Sequence, residues 1–196
     1  MIVSKKHKFA FVHIPKTGGT SITLMLKPYL GSGPTHGRGW QKAYHKYELH
    51  SPLMPFNHMG NYFKFAFVRN PWDWLVSLYH TGAINRMIGR AKRAKKPAWN
   101  ELIRMINAGA VSVRCQSTWL KCHAVSVDYV ARFEQYEKEV AYIFNRLGLK
   151  YKNIPHRLNN GRKRQHYTEW YDANSRRVIG RLFKHDITAF KYKFGK

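Results

Sequence analysis

Continuous apolar runs alternate along the chain with segments whose apolar residues recur at helical spacing. The first run, Phe9 to Ile14, is bounded by a glycine turn signal, the pattern of a strand covered on both faces. Thr20 to Leu30 follows with apolar residues at 22, 24, 25, 26 and 30, which predicts a helix. Gly31 to Gly39 is rich in Gly, Ser, Pro and Thr and reads as a loop, and no period is visible from Trp40 to Asn61. A second apolar run, Tyr62 to Val68, ends at Arg69, and Asn70-Pro71 then predicts an N-cap and first helical position. That helix is expected to reach about Ile88, with Gly82 as a break. Ala98 to Asn107 is helical again and stops at Gly109. Val125 to Phe133 reads as a third strand, and Glu134 to Leu147 as an amphipathic helix ended by Gly148. After a polar, basic loop from Asn153 to His166, Trp170 to Phe183 and Asp186 to Phe190 are expected as closing helices. Strands alternating with helices predict an α/β fold, a parallel sheet flanked by helices. No repeat is visible, and residues 1–196 read as one domain.

Composition narrows the picture. Hydrophobic residues make up 44% of the 196, enough for a sizeable core. Lys and Arg number 35 against 10 Asp and Glu, a formal net charge of +25, which attracts polyanions without choosing among them. No stretch approaches the roughly 20 apolar residues of a membrane span. A signal peptide is not expected in Met1 to Lys8, because the short apolar run after it leads straight into the glycine loop. Cys115 and Cys122 lack zinc or redox spacing and read as free thiols. The chain therefore reads as soluble and cytoplasmic.

The chemistry concentrates in two places. Pro15-Lys16-Thr17-Gly18-Gly19-Thr20-Ser21 lies where the first strand turns into the first helix. Such a junction gathers unpaired backbone N–H groups and the positive end of a helix dipole, an anion cradle to which Lys16 adds charge and Thr17, Thr20 and Ser21 add hydroxyls. It is P-loop-like but not a Walker A loop, since the basic residue precedes the glycines. The second place begins with Arg69 at a strand's C-terminal end, where open α/β sheets bind ligands. Ser77 follows about two helical turns later and can share an anion with the guanidinium. Two phosphate sites imply a ligand with two phosphate groups.

The loop H-I-P-K-T-G-G-T-S (residues 13–21) and the unit F-V-R-N-P-W-D-W-L-V-S-L-Y (residues 67–79) resemble the 5′-phosphosulfate and 3′-phosphate motifs of sulfotransferases. Arg132-Phe133-Glu134 and the Asp186 to Phe194 ending are similar to the branch of carbohydrate sulfotransferases of the heparan 2-O type and its small bacterial relatives. The resemblance implies a P-loop-like sulfotransferase fold. It also implies transfer of a sulfuryl group from 3′-phosphoadenosine 5′-phosphosulfate, without a metal, to an acceptor that is a carbohydrate and can be anionic. Lys16 would then neutralise charge on the leaving phosphate, and Gly18 to Ser21 would hold the 5′-phosphate. Arg69 and Ser77 would hold the 3′-phosphate, with Arg162 or Arg164 closing over it. His50, in Tyr47-Glu48-Leu49-His50-Ser51, is the expected general base, with His58, His45 and Glu48 as alternatives.

Plainer readings stand beside these. Lys16 can be merely solvated, Arg69 can pair with Asp73, and Ser77 can bond back to its helix. His13 reads as structural, the Trp72, Trp74 and Tyr79 spacing as helix packing, and the basic run Arg86 to Lys96 as a solvated face or an acceptor groove. Two other functions compete. A P-loop kinase or NTPase lacks the G-K-[ST] order and a strand ending in Asp for Mg²⁺. A nucleic-acid-binding protein is favoured by charge, but no nucleic-acid module is present.

Overall fold

A computed structural model of the chain describes residues 1–30, 60–91, 94–122, 125–155 and 165–196. The chain divides into two compact units, one from residues 1–68 and 118–162, the other from residues 69–117 and 163–196. The strands are β1 (Ile2–Ser4), β2 (Phe9–Val12), β3 (Phe63–Val68), β4 (Lys121–Cys122), β5 (Val125–Ser126) and β6 (Tyr129–Arg132). The helices are α1 (Gly19–Leu26), α2 (Pro71–His80), α3 (Ala83–Met87), α4 (Trp99–Asn107), α5 (Tyr136–Arg146), α6 (Ala173–Leu182) and α7 (Lys184–Ala189).

The first unit is built on a four-stranded sheet in the order β1-β2-β3-β6. β2, β3 and β6 are parallel, and β1 is an antiparallel edge. This is the mostly parallel α/β sheet flanked by helices that the alternation predicts. Phe9, Phe11, Phe65 and Phe67 share a core with Ile22, Met25 and Leu26 of α1 and Val140, Ile143 and Phe144 of α5. Phe11 pairs with Phe65 across the strands, and their rings stack at 5.2 Å. Each fully buried phenylalanine contributes about 1.5–3 kcal/mol. Ala10, Val12, Ala66 and Val68 are equally inaccessible, which is why these strands read as unbroken apolar runs rather than alternating ones. Because β2 and β3 are parallel neighbours, both end at the same edge of the sheet. The glycine loop follows β2 in the chain, and Arg69 follows β3.

Several boundaries differ from expectation. The first helix stops at Leu26, and Lys27–Tyr29 forms a single tighter turn, because Pro28 has no N–H to continue the α pattern. The expected third strand is two elements. Val125–Ser126 pairs antiparallel with Lys121–Cys122 in a separate ribbon, and β6 then joins the main sheet. Asp128 makes the switch: its N–H donates to the Lys64 carbonyl at 2.7 Å, and its carboxylate accepts from the Lys64 N–H at 2.7 Å and pairs with Lys64 Nζ at 2.9 Å. The helix expected from Trp170 begins at Ala173, where Asp172 accepts from the Ser175 N–H at 2.7 Å and takes the cap. β1 has no counterpart among the expected elements.

In the second unit, α2 is capped as the Asn-Pro pair predicts: Asn70 Oδ1 accepts from the Trp72 N–H at 3.2 Å. Gly82, with φ of 68°, separates α2 from α3. The aromatic residues of α2 pack the unit. Trp74 meets Phe183 edge-on at 5.6 Å, Trp72 meets Phe194 at 5.5 Å, and Tyr79 meets Trp99 at 5.2 Å. Their spacing is helix packing, as its plainer reading holds.

Candidate functional site

The glycine loop is narrow for reasons its residues supply. Gly18 lies in the left-handed region with φ of 83°, and a Cβ added there would come within 2.4 Å of the Tyr136 ring. At Gly19 an added Cβ would meet the His13 ring at 2.0 Å. Neither position can carry a side chain without displacing a packed ring. His13 itself is buried and stacks on Phe11 at 5.6 Å, so it is a wall of the loop. Tyr136 closes the other side: its hydroxyl donates to the Gly18 carbonyl at 2.8 Å, and burial pushes that hydroxyl up to about 12, so it stays a donor at ordinary pH.

Lys16 is half-buried and held at φ of 66°, a backbone state that costs a non-glycine residue about 1–2 kcal/mol. Strain of this kind, kept by packing on both sides, aims a residue. Past Lys16, the Ser21 and Ile22 N–H groups donate to the Gly18 carbonyl, at 3.1 and 3.4 Å. The N–H groups of Gly19 and Thr20, at the head of α1, have no intrahelical acceptor, the usual condition of an anion-binding helix start. The hydroxyls do different work. Thr17 Oγ1 is buried and donates to the Ile14 carbonyl at 2.9 Å, and Ser21 Oγ donates to the Pro155 carbonyl at 2.6 Å. Thr20 is exposed, and Pro15 is buried.

In the second unit, Arg69 does pair with Asp73: Nε donates to Asp73 Oδ2 at 2.7 Å, with the arginine side chain 12% exposed. The bond engages one of five guanidinium donors. Ser77 lies one further turn along α2 and is buried, and among the described residues its Oγ has no hydrogen-bond partner. A buried hydroxyl without a partner is costly unless a ligand or water completes it. The Arg69 backbone is held by Gln116, a residue that neither spacing nor motif singles out. Asp186, in the expected C-terminal motif, is wholly buried and binds the Gln116 and Ser117 N–H groups at 2.6 and 2.8 Å. The Arg132 N–H donates to Glu139 Oε1 at 3.3 Å, and Phe133 packs on Tyr136 at 5.7 Å.

His45, Glu48, His50, His58, Arg162 and Arg164 lie outside the described residues. Among the described residues, no group of three His, Cys, Asp or Glu side chains is placed to hold a metal ion, and no helix is long and apolar enough to cross a membrane. Cys115 is a free thiol held up at about 11, chiefly by burial and then by the Asp186 carboxylate.

Set against known protein families, residues 1–193 match the sequence model described as "Sulfotransferase family". A search of curated proteins gave no match.

Proposed function

The chain belongs to the sulfotransferase family, and on that premise we propose that it moves a sulfuryl group from 3′-phosphoadenosine 5′-phosphosulfate to a hydroxyl of a carbohydrate acceptor. The observation that carries this reading is the loop at the head of α1, where Lys16 is held at φ of 66° next to Gly18 and Gly19, two positions at which packed rings leave no room for a Cβ. The buried Ser77 Oγ, which has no hydrogen-bond partner among the described residues, adds to it, because a phosphate oxygen would give that hydroxyl an acceptor. The family match runs across both compact units, which supports reading the chain as one catalytic domain.

A bound donor supplies a sulfur centre open to in-line attack, with a nucleotide phosphate as leaving group. Lys16 then neutralises charge growing on that phosphate, while the Gly19 and Thr20 N–H groups hold its oxygens. Arg69 grips the 3′-phosphate through its planar fork and Ser77 donates to it, and Arg162 or Arg164 is the further cation that the sequence offers for the same phosphate. His50 takes the proton from the acceptor hydroxyl, a task suited to an imidazole of pKa about 6.5. The basic excess of 35 over 10 favours an acidic or already sulfated glycan.

Turnover with the donor and a panel of neutral and anionic oligosaccharides, in a chelator, tests the reading through sulfated product. His50→Ala is expected to keep nucleotide binding and lose about a hundredfold or more in turnover. Unchanged turnover would move the base to His58 or His45. Mg²⁺-dependent ATP hydrolysis without sulfuryl transfer would contradict the whole proposal.

A further inference from the structure

Arg69 stands at the junction between β3, which ends at Val68, and α2, which begins at Pro71. The Gln116 side chain binds both backbone groups of that junction residue. The Arg69 N–H donates to Gln116 Oε1 at 2.9 Å, and Gln116 Nε2 donates to the Arg69 carbonyl at 2.8 Å. A side-chain amide thus acts as a one-residue strand, pairing both backbone groups of the arginine. Gln116 is fully buried, and so is the carboxylate beneath it. Asp186 accepts the Gln116 N–H at Oδ2 and the Ser117 N–H at Oδ1, so each carboxylate oxygen fixes one peptide of the turn that carries the glutamine. Asp73 holds the Arg69 guanidinium through Nε.

We propose that Gln116, seated on Asp186, is the positioning residue for Arg69: it fixes the backbone from which the guanidinium reaches the 3′-phosphate of the nucleotide. This rests on the 3′-phosphate role given to Arg69 above. Bidentate recognition is sensitive to where the fork is set, because a small shift of the Cα breaks one of two parallel hydrogen bonds. A buried amide with both ends satisfied holds that setting without a charge that would compete for the ligand.

The test is calorimetric titration with adenosine 3′,5′-bisphosphate and with adenosine 5′-phosphate, which lacks only the 3′-phosphate. Gln116→Met keeps the volume and removes both bonds. It is expected to weaken the bisphosphate about tenfold and leave the monophosphate unchanged. In an Arg69→Ala background the same substitution is expected to change neither. Equal losses for both nucleotides, or an unchanged preference in a folded variant, would overturn the proposal. Should Gln116→Met fail to fold, Gln116→Asn gives the same reading, since the shorter neutral amide draws both of its groups back from the Arg69 backbone. Failure of the wild-type chain to prefer the bisphosphate would instead remove the 3′-phosphate role itself, and the proposal with it.

Discussion

Gly19 and His13 show how closely the loop depends on single atoms. A Cβ at residue 19 would meet the imidazole at 2.0 Å, and that ring is itself stacked on Phe11 in the core. Gly19→Ala is therefore expected to lower stability by about 1–3 kcal/mol and to weaken nucleotide binding. In a His13→Ala background the further loss from Gly19→Ala should be small, because the atoms that clash are gone. Thermal unfolding checks both, and an unchanged Tm for Gly19→Ala would contradict the packing. The glycines and Lys16 were legible in the sequence, because a turn between an apolar run and a helix admits few residue types. Gln116 was not. It contacts Arg69 from 47 positions away, and no periodicity encodes a pairing of that kind. The hydroxyls of Thr17 and Ser21 were legible only as hydroxyls: their partners, the Ile14 and Pro155 carbonyls, depend on how the loop folds back.

Among the elements, β2, β3 and α2 follow directly from local pattern, since each has a strong apolar run or a capping pair at its boundary. The expected third strand divides in two because its apolar pattern continues while its partner changes, and the exchange at Asp128 is a tertiary event. The cap of α2 does more than a local signal requires. Asn70 Oδ1 accepts from the Trp72 N–H, and Nδ2 donates to the Lys193 and Lys196 carbonyls, each at 3.0 Å. Asn70→Asp keeps the acceptor and loses the donor, whereas Asn70→Ala loses both. The alanine variant is expected to lose about 1–2 kcal/mol from the cap alone, and the aspartate variant less. Chemical denaturation that ranks the two variants the other way would show that the amide's donor, rather than its acceptor, governs the helix start.

For the whole molecule, charge and family membership bear on different questions. The net charge of +25 describes what the surface attracts, while the match over residues 1–193 describes the reaction class. The central claim is that the chain binds a nucleotide carrying a 3′-phosphate and needs no divalent cation to do so. Calorimetric titration of the wild-type chain with adenosine 3′,5′-bisphosphate in a chelator, with ADP and ATP–Mg²⁺ as controls, tests it most directly. Tight binding of the bisphosphate is expected without Mg²⁺, with at least a tenfold preference over ADP, the scale of one lost charge-assisted contact (about 1.4 kcal/mol). Equal binding of ADP, or binding that requires Mg²⁺, would contradict it.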